Sequence, residues 1–232
     1  MKAFLLAAGV GSRLRPLTDT VPKCMLAFGG QPLLGLWLDA LDRAGVGEVL
    51  VNLHHLPGPV HEYLDTRPGP PAVRRFFEPE LLGSAGTLAA NREWVAGEDF
   101  FLACNADNLT DFDLRQLIDA QLSQPALATL GVFRSPQPSA GGVVQTDDGG
   151  LVTGFAEKPR TPLSDLVNAG LYAFRPAVLD EIGAPPCDIG YDLLPRLVGR
   201  SRAVLVDGYF RDIGTPEAYQ RAREEWPARA PR

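Results

Sequence analysis

Apolar and polar positions along the chain fall into two rhythms. Continuous apolar runs of strand length, "KAFLLAA" at residues 2–8, "EVLVNLHH" at 48–55 and "DFFLACNAD" at 99–107, read as strands with little solvent on either face. Between them the apolar residues recur at spacings of three and four. In "GQPLLGLWLDALDRAG" these are Leu33, Leu34, Trp37, Leu38 and Leu41, with Pro32 in a first-turn position and Gly45 as the stop, which predicts a helix. "PVHEYLD" predicts a short helix and "AVRRFFE" a strand. A further helix runs from about Gly86 to Val95, and another follows in "DFDLRQLIDAQL" with Asp111 as its N-cap. Strands that alternate with helices predict an α/β fold, a mostly parallel sheet with right-handed crossovers and helices on both faces. Ligands of such sheets bind beyond the carboxyl ends of the strands, where segments 8–23, 78–88 and 105–108 emerge.

After residue 125 the rhythm changes. "ALATLGVF", "GGVVQTD" and "LVTGFAEK" are short strands, and "DDGG" between the last two marks a hairpin. "VNAGLYAF" and "AVLVDGYF" predict two more strands with a helix, "IGYDLLPRLVG", between them, and "TPEAYQRAREEW" predicts a closing helix. We expect a three-layer α/β/α, Rossmann-like domain over residues 1–226, its halves 1–134 and 135–226, with 227–232 as a frayed tail.

Composition narrows the classes. A net charge of −6 argues against a general nucleic-acid binder, which needs a basic face to neutralise phosphates. Positive charge is instead local: Lys2, Arg13, Arg15 and Lys23 against Asp19 leave +3 within the first 23 residues. Cys24, Cys104 and Cys187 are odd in number and lack a C-x-x-C pair, which suggests neither a disulfide framework nor a zinc site and fits a reducing compartment. No apolar run approaches the roughly 20 residues of a membrane span. The opening imitates a short export signal, but two arginines follow at once and no A-x-A cleavage site appears.

The loop "AAGVGSRLRPLTDTVPK", residues 7–23, carries the first candidate chemistry. It is not a dinucleotide fingerprint, because Leu14 stands where the third glycine belongs, and it is not a P-loop, because no Gly-Lys-Ser/Thr follows. Glycines after a buried strand nevertheless let backbone amides approach an anion. Arg13 adds a bidentate donor and Lys23 a point charge. Read alone, a two-glycine turn is more often structural, and Asp107 or Asp212 alone is more often a cap or turn residue.

With its apolar start, the segment "LAAGVGSRLRPLTDTVPK" resembles the signature of sugar-1-phosphate nucleotidyltransferases. The likeness continues through "EPELLGSAGTL" (78–88), "NAD" (105–107), "GGVV" (141–144), "EKP" (157–159), "NAGLY" (168–172) and "RDIGTPEAY" (211–219). It implies a nucleotidyltransferase fold with a small β lid, and a Mg2+-dependent enzyme that joins a nucleoside triphosphate to a sugar 1-phosphate with loss of pyrophosphate. By the same likeness Leu6, Ala7, Ala8, Gly9, Gly11, Ser12 and Arg13 would hold the nucleotide, with Leu82, Gly83, Gly86, Thr87 and Asn105. Lys23, Arg13 and Asp107 would be catalytic, Asp107 and Asp212 would carry the metal, and Gly142, Glu157, Lys158 and Asn168 would take the sugar phosphate. Glu78 and Asp111 could orient the site from behind.

"LLGSAGTL" is similar to the mannose-1-phosphate guanylyltransferase pattern and favours GTP with mannose 1-phosphate. A uridylyl- or thymidylyltransferase, for example one using UTP with a hexose or N-acetylmuramic acid 1-phosphate, and a non-catalytic nucleotide-sugar sensor are the alternatives. Cysteine usage, net charge and the length of the apolar runs predict a cytoplasmic protein with neither nucleic-acid nor membrane partners, and leave a homo-oligomer open. Three positions depart from the family pattern: Cys24 for proline, Ala106 for glycine and Phe210 for tryptophan. His54, His55 and His61 lack the spacing of metal ligands.

Overall fold

The computed structural model describes residues 1–124 and 126–226, so the expected tail at 227–232 lies outside the described residues. The elements run β1 (Lys2–Leu6), β2 (Ala27–Phe28), β3 (Gln31–Pro32), α1 (Leu33–Arg43), β4 (Glu48–Leu53), α2 (Pro57–Thr66) and β5 (Ala72–Phe77). They continue as α3 (Ser84–Ala90), α4 (Arg92–Val95), β6 (Phe101–Asn105), β7 (Asn108–Thr110), α5 (Leu114–Ser123), β8 (Ala128–Arg134), β9 (Gly142–Thr146) and β10 (Val152–Glu157). The last are β11 (Leu166–Phe174), β12 (Ser201–Leu205), β13 (Phe210–Asp212) and α6 (Pro216–Glu225). They form two compact units that interleave along the chain: Met1–Leu81 with Asn105–Asp113 and the chain from Gly208, and Leu82–Cys104 with Leu114–Asp207.

In the first unit, β4 lies parallel to both β1 and β5, with Leu6 opposite Asn52 and Leu53 opposite Phe77. The predicted apolar stripe of α1 is the buried one: Leu33, Leu34, Trp37, Leu38 and Leu41 are all inside. Each fully buried leucine contributes about 1.5–3 kcal/mol of transfer free energy. Pro32 sits one position before the helix rather than in its first turn, and Gly45 follows the stop at φ +81°. The two-stranded antiparallel ladder of β7 and β13 pairs Asn108 with Asp212 and Thr110 with Phe210. It joins parts of the chain about a hundred residues apart. Thr215 Oγ1 accepts from Ala218 N at 3.2 Å and caps α6.

In the second unit the pairing is largely antiparallel. β11 runs antiparallel to β6, β8 and β9, and β9 forms the predicted hairpin with β10. Among the described residues, β12 on β8 is the parallel pair there. A short connection rather than a helical crossover links β9 to β10, and short connections favour antiparallel neighbours. The fold is therefore α/β with mixed pairing.

Four local expectations change. The helix predicted from Gly86 to Val95 breaks at Asn91, whose Nδ2 donates to Thr87 O and whose backbone leaves the helical region. "IGYDLLPRLVG" forms a wide turn over Ile189–Leu193 and a 3-10 turn over Leu194–Leu197 instead of an α-helix. Pro195 supplies no N–H to continue an α-helical ladder. "AVLVDGYF" becomes two strands because Gly208 turns the chain at φ +98°. Asp111 is not the cap of α5, which begins at Leu114; its Oδ1 accepts from Tyr209 N at 2.7 Å.

Candidate active site

The opening loop is held from two sides within the first unit. At its start, Asn52 Oδ1 accepts from Ala7 N at 2.6 Å and from Ala8 N at 3.3 Å, while Asn52 Nδ2 donates to Glu78 Oε1 at 2.9 Å. Both Asn52 and Glu78 are buried, and Glu78 accepts from the asparagine that engages the loop. At its turn, Gly11 adopts φ +67°, Leu14 N donates to Gly11 O, and so does Thr18 Oγ1 at 2.8 Å. A Cβ on Gly11 would also press on Thr18, which gives glycine two reasons to stand there. His55 Nε2 donates to Thr18 O, so a histidine holds the loop's anchor rather than a metal. His54 donates to Glu78 O, and His61 lies against Arg75.

Among the described residues, the amides of Gly9, Val10, Gly11 and Ser12 donate to no protein acceptor, and a Cβ on Gly9 would meet nothing within 4 Å. Four consecutive free donors on an open turn are the means of binding an anion through backbone. The amides of Ala7 and Ala8 are engaged by Asn52. Leu6 closes β1, and its carbonyl accepts from Ala106 N at 3.0 Å. The methyl of Ala106 is buried, and Cys24 is buried too, its thiol pushed up to about 12 by desolvation.

Three charged side chains converge in the same unit. Lys23, only 7% exposed, places Nζ 3.0 Å from Asp107 Oδ2 and 3.6 Å from Asp212 Oδ1. The β7–β13 ladder explains the convergence: Asp212 pairs with Asn108, and Ile213 N donates to Asp107 O, so the two acids flank one rung. Gly214 leaves room for Arg13 and Asp212, since a Cβ there would lie 2.8 Å from both Arg13 Nη2 and Asp212 Oδ1. The acids stay 43% and 55% exposed. Two hard oxygen donors with open sides suit a divalent cation that keeps part of its water shell. No cluster of three metal-ligating side chains occurs among the described residues, so such a cation would draw its remaining ligands from water or substrate.

The second unit gathers the other candidates. Glu157 lies opposite Gly142 in the β9–β10 hairpin, and its Oε2 would be 2.7 Å from a Cβ on that glycine. Burial pushes the Glu157 carboxyl above its ordinary range; Lys158 opposes the shift and Asp188 adds to it. Lys158 takes φ +46°, uncommon for a side chain of its size, and sends Nζ to 3.8 Å from Glu157 Oε1. Asn168 sits at a register shift in β11: its Oδ1 accepts from Gly170 N and its Nδ2 donates to Tyr172 Oη at 2.7 Å. Most of that amide therefore shapes the strand. In segment 82–87, Gly83 adopts φ +78° against the carbonyl of Cys187, which accepts from Ala85 N and Gly86 N. Thr87 Oγ1 donates to Gly83 O.

A parallel strand that delivers a free-amide loop, beside an ammonium shared by two acids, defines an α/β protein with a donor-rich turn and a paired-carboxylate centre in one unit. The family model described as nucleotidyl transferase matches residues 2–228, and the chain belongs to that family. Probable mannose-1-phosphate guanylyltransferase 1 of Oryza sativa subsp. japonica is 34% identical over 227 residues, 94% of this chain and 63% of the relative. The mannose-1-phosphate guanylyltransferase catalytic subunit beta of Drosophila melanogaster is 33% identical over 223 residues, 94% of this chain and 60% of the relative. The chain thus spans about three-fifths of the length of these relatives. Among solved structures, a putative glucose-1-phosphate thymidylyltransferase from Bacillus anthracis in complex with a sucrose superposes at a TM-score of 0.87 and 23% identity, covering 100% of this chain and 96% of that one. HddC from Yersinia pseudotuberculosis complexed with GMP-PN does so at 0.81 and 23%, covering 97% and 99%. These two bear on the fold alone.

Proposed function

We propose that this chain transfers the nucleotidyl group of a nucleoside triphosphate to a sugar 1-phosphate with release of pyrophosphate, and that GTP and mannose 1-phosphate are its substrates. The observation that carries the reading is Lys23 Nζ standing between Asp107 and Asp212. The named activity of the rice and fruit-fly relatives supports the substrate pair.

The reaction brings two polyanions together, so charge neutralisation and positioning must supply most of the catalysis. The free amides of Gly9 to Ser12 would accept triphosphate oxygens, and Arg13 would add two parallel donors. The sugar phosphate oxygen bonds to the α-phosphorus while the bond from that phosphorus to the α–β bridging oxygen breaks, and its electron pair leaves with the pyrophosphate. Lys23 would offset the charge that gathers on the α-phosphoryl oxygens. Asp107 and Asp212 would hold Mg2+, which supplies further charge neutralisation and orients the triphosphate. Glu157 would accept from sugar hydroxyls and Lys158 would meet the sugar phosphate. The segment Leu82–Thr87 would face the base, with Asn105 as a further nucleotide contact.

The test is a matrix of GTP, UTP, dTTP, ATP and CTP against mannose, glucose and N-acetylhexosamine 1-phosphates, read by pyrophosphate release with Mg2+ and with EDTA. Metal-dependent release favouring GTP and mannose 1-phosphate is the expected result. Preference for UTP or dTTP would reassign the base, and no release from folded protein would make the chain a sensor.

A further inference from the structure

No motif in the likeness falls between residues 173 and 210, yet in the second unit a five-residue turn from that stretch lies against the sugar-side carboxylate. A Cβ on Gly190 would stand 2.8 Å from Glu157 Oε2, the same oxygen that crowds Gly142. Two glycines from different segments therefore clear the space around one carboxylate oxygen. The turn is firmly built. Asp188 Oδ1 accepts from Gly190 N at 2.8 Å and from Tyr191 N at 3.2 Å. Asp188 Oδ2 accepts from Ser84 Oγ at 2.7 Å, and Ser84 Oγ accepts from Ile189 N at 2.8 Å. Cys187 exchanges three backbone hydrogen bonds with Leu82, Ala85 and Gly86. Lys158 Nζ lies 5.7 Å above the Tyr191 ring, which closes the turn around the Glu157–Lys158 pair.

We infer that Cys187–Tyr191 is the wall that sets Glu157 for the sugar, with Gly190 a specificity-determining position and Asp188 a positioning residue fixed through Ser84. The inference rests on the proposed transfer reaction and deepens its sugar end. An ionised carboxylate accepts but does not donate, so the wall selects a pyranose 1-phosphate that turns a hydroxyl, rather than an acidic or carbonyl group, towards Glu157. Any side chain at 190 must move that oxygen and weaken the selection.

The charged groups facing Glu157 are Lys158 and Asp188, which pull its titration in opposite directions while burial raises it. Asp188→Asn keeps the oxygen that accepts from Gly190 and Tyr191 but removes the negative charge. It should lower the Glu157 titration, so that the acid limb of kcat/KM for the sugar phosphate moves to lower pH.

The experiment is steady-state pyrophosphate release with each substrate varied in turn. For Gly190→Ala we expect KM for the sugar phosphate to rise at least tenfold while KM for the triphosphate stays within twofold. An unchanged sugar KM in folded Gly190→Ala overturns the inference and leaves the transfer reading standing. Should that variant fail to fold, Asp188→Asn decides: a downward acid limb supports the wall, and an unmoved limb overturns it. Absence of wild-type turnover with every pair would overturn the transfer reading, and this inference with it.

Discussion

Lys23 concentrates the chemistry of the first unit in one atom. Its ammonium lies within salt-bridge distance of two carboxylates, and the side chain is almost wholly buried. Removing it takes away positive charge where the proposed transfer would need it. Lys23→Ala and Asp107→Ala should each lower kcat on the order of 100-fold or more, measured by pyrophosphate release. Near-normal rates in either variant would displace these residues from their roles. Asn52 is the complementary case, a residue with no charge that shapes the loop. Asn52→Leu would take away the acceptor of the Ala7 and Ala8 amides and the donor to Glu78 Oε1. It should cost at least about 2 kcal/mol in urea unfolding and raise KM for the triphosphate. The one available signal for Asn52 was a polar residue inside the apolar run "EVLVNLHH". Nothing local indicated that its oxygen reaches residues 44 and 45 positions earlier.

Elements explain why the acids meet. β7 and β13 are only three residues each, and a ladder that short needs support at its ends. Asp111 provides some by accepting from Tyr209 N, and Arg211 provides more through its pair with Glu225 of α6 at 2.9 Å. The start of α6 is set by the Thr215 cap and Pro216. Thr215→Ala should lose about 1 kcal/mol of stability by chemical denaturation. Thr215→Ser, which keeps the acceptor, should lose much less. Periodicity found α1, α6 and the β9–β10 hairpin because their caps, stops and turn residues are local. It missed the break at Asn91 and the wide turn at 189–193, where side chains and a neighbouring segment override helical spacing.

At the scale of the whole molecule, the two units divide the proposed labour. The first holds the free-amide loop and the paired acids, and the second holds Glu157, Lys158 and segment 82–87. Ligand binding should therefore register as stability. At a GTP concentration about 100 times its Kd, with Mg2+ present, unfolding free energy should rise by about 2.7 kcal/mol, and EDTA should remove most of that gain. A rise that survives EDTA undiminished would detach nucleotide binding from Asp107 and Asp212.

The chain's own order of residues determined the alternation of strands and helices, the glycine-rich loop after the first strand and the identity of the charged groups. Each of these depends on neighbours a few positions apart, where side-chain period and backbone freedom act directly. Tertiary structure alone decided that Asp107 and Asp212 share one ammonium, that Asn52 engages the first two amides of the loop, and that Gly190 lies against Glu157. Those relations join residues between 33 and 189 positions apart, and no local propensity encodes a distance between segments until the ladders bring them together.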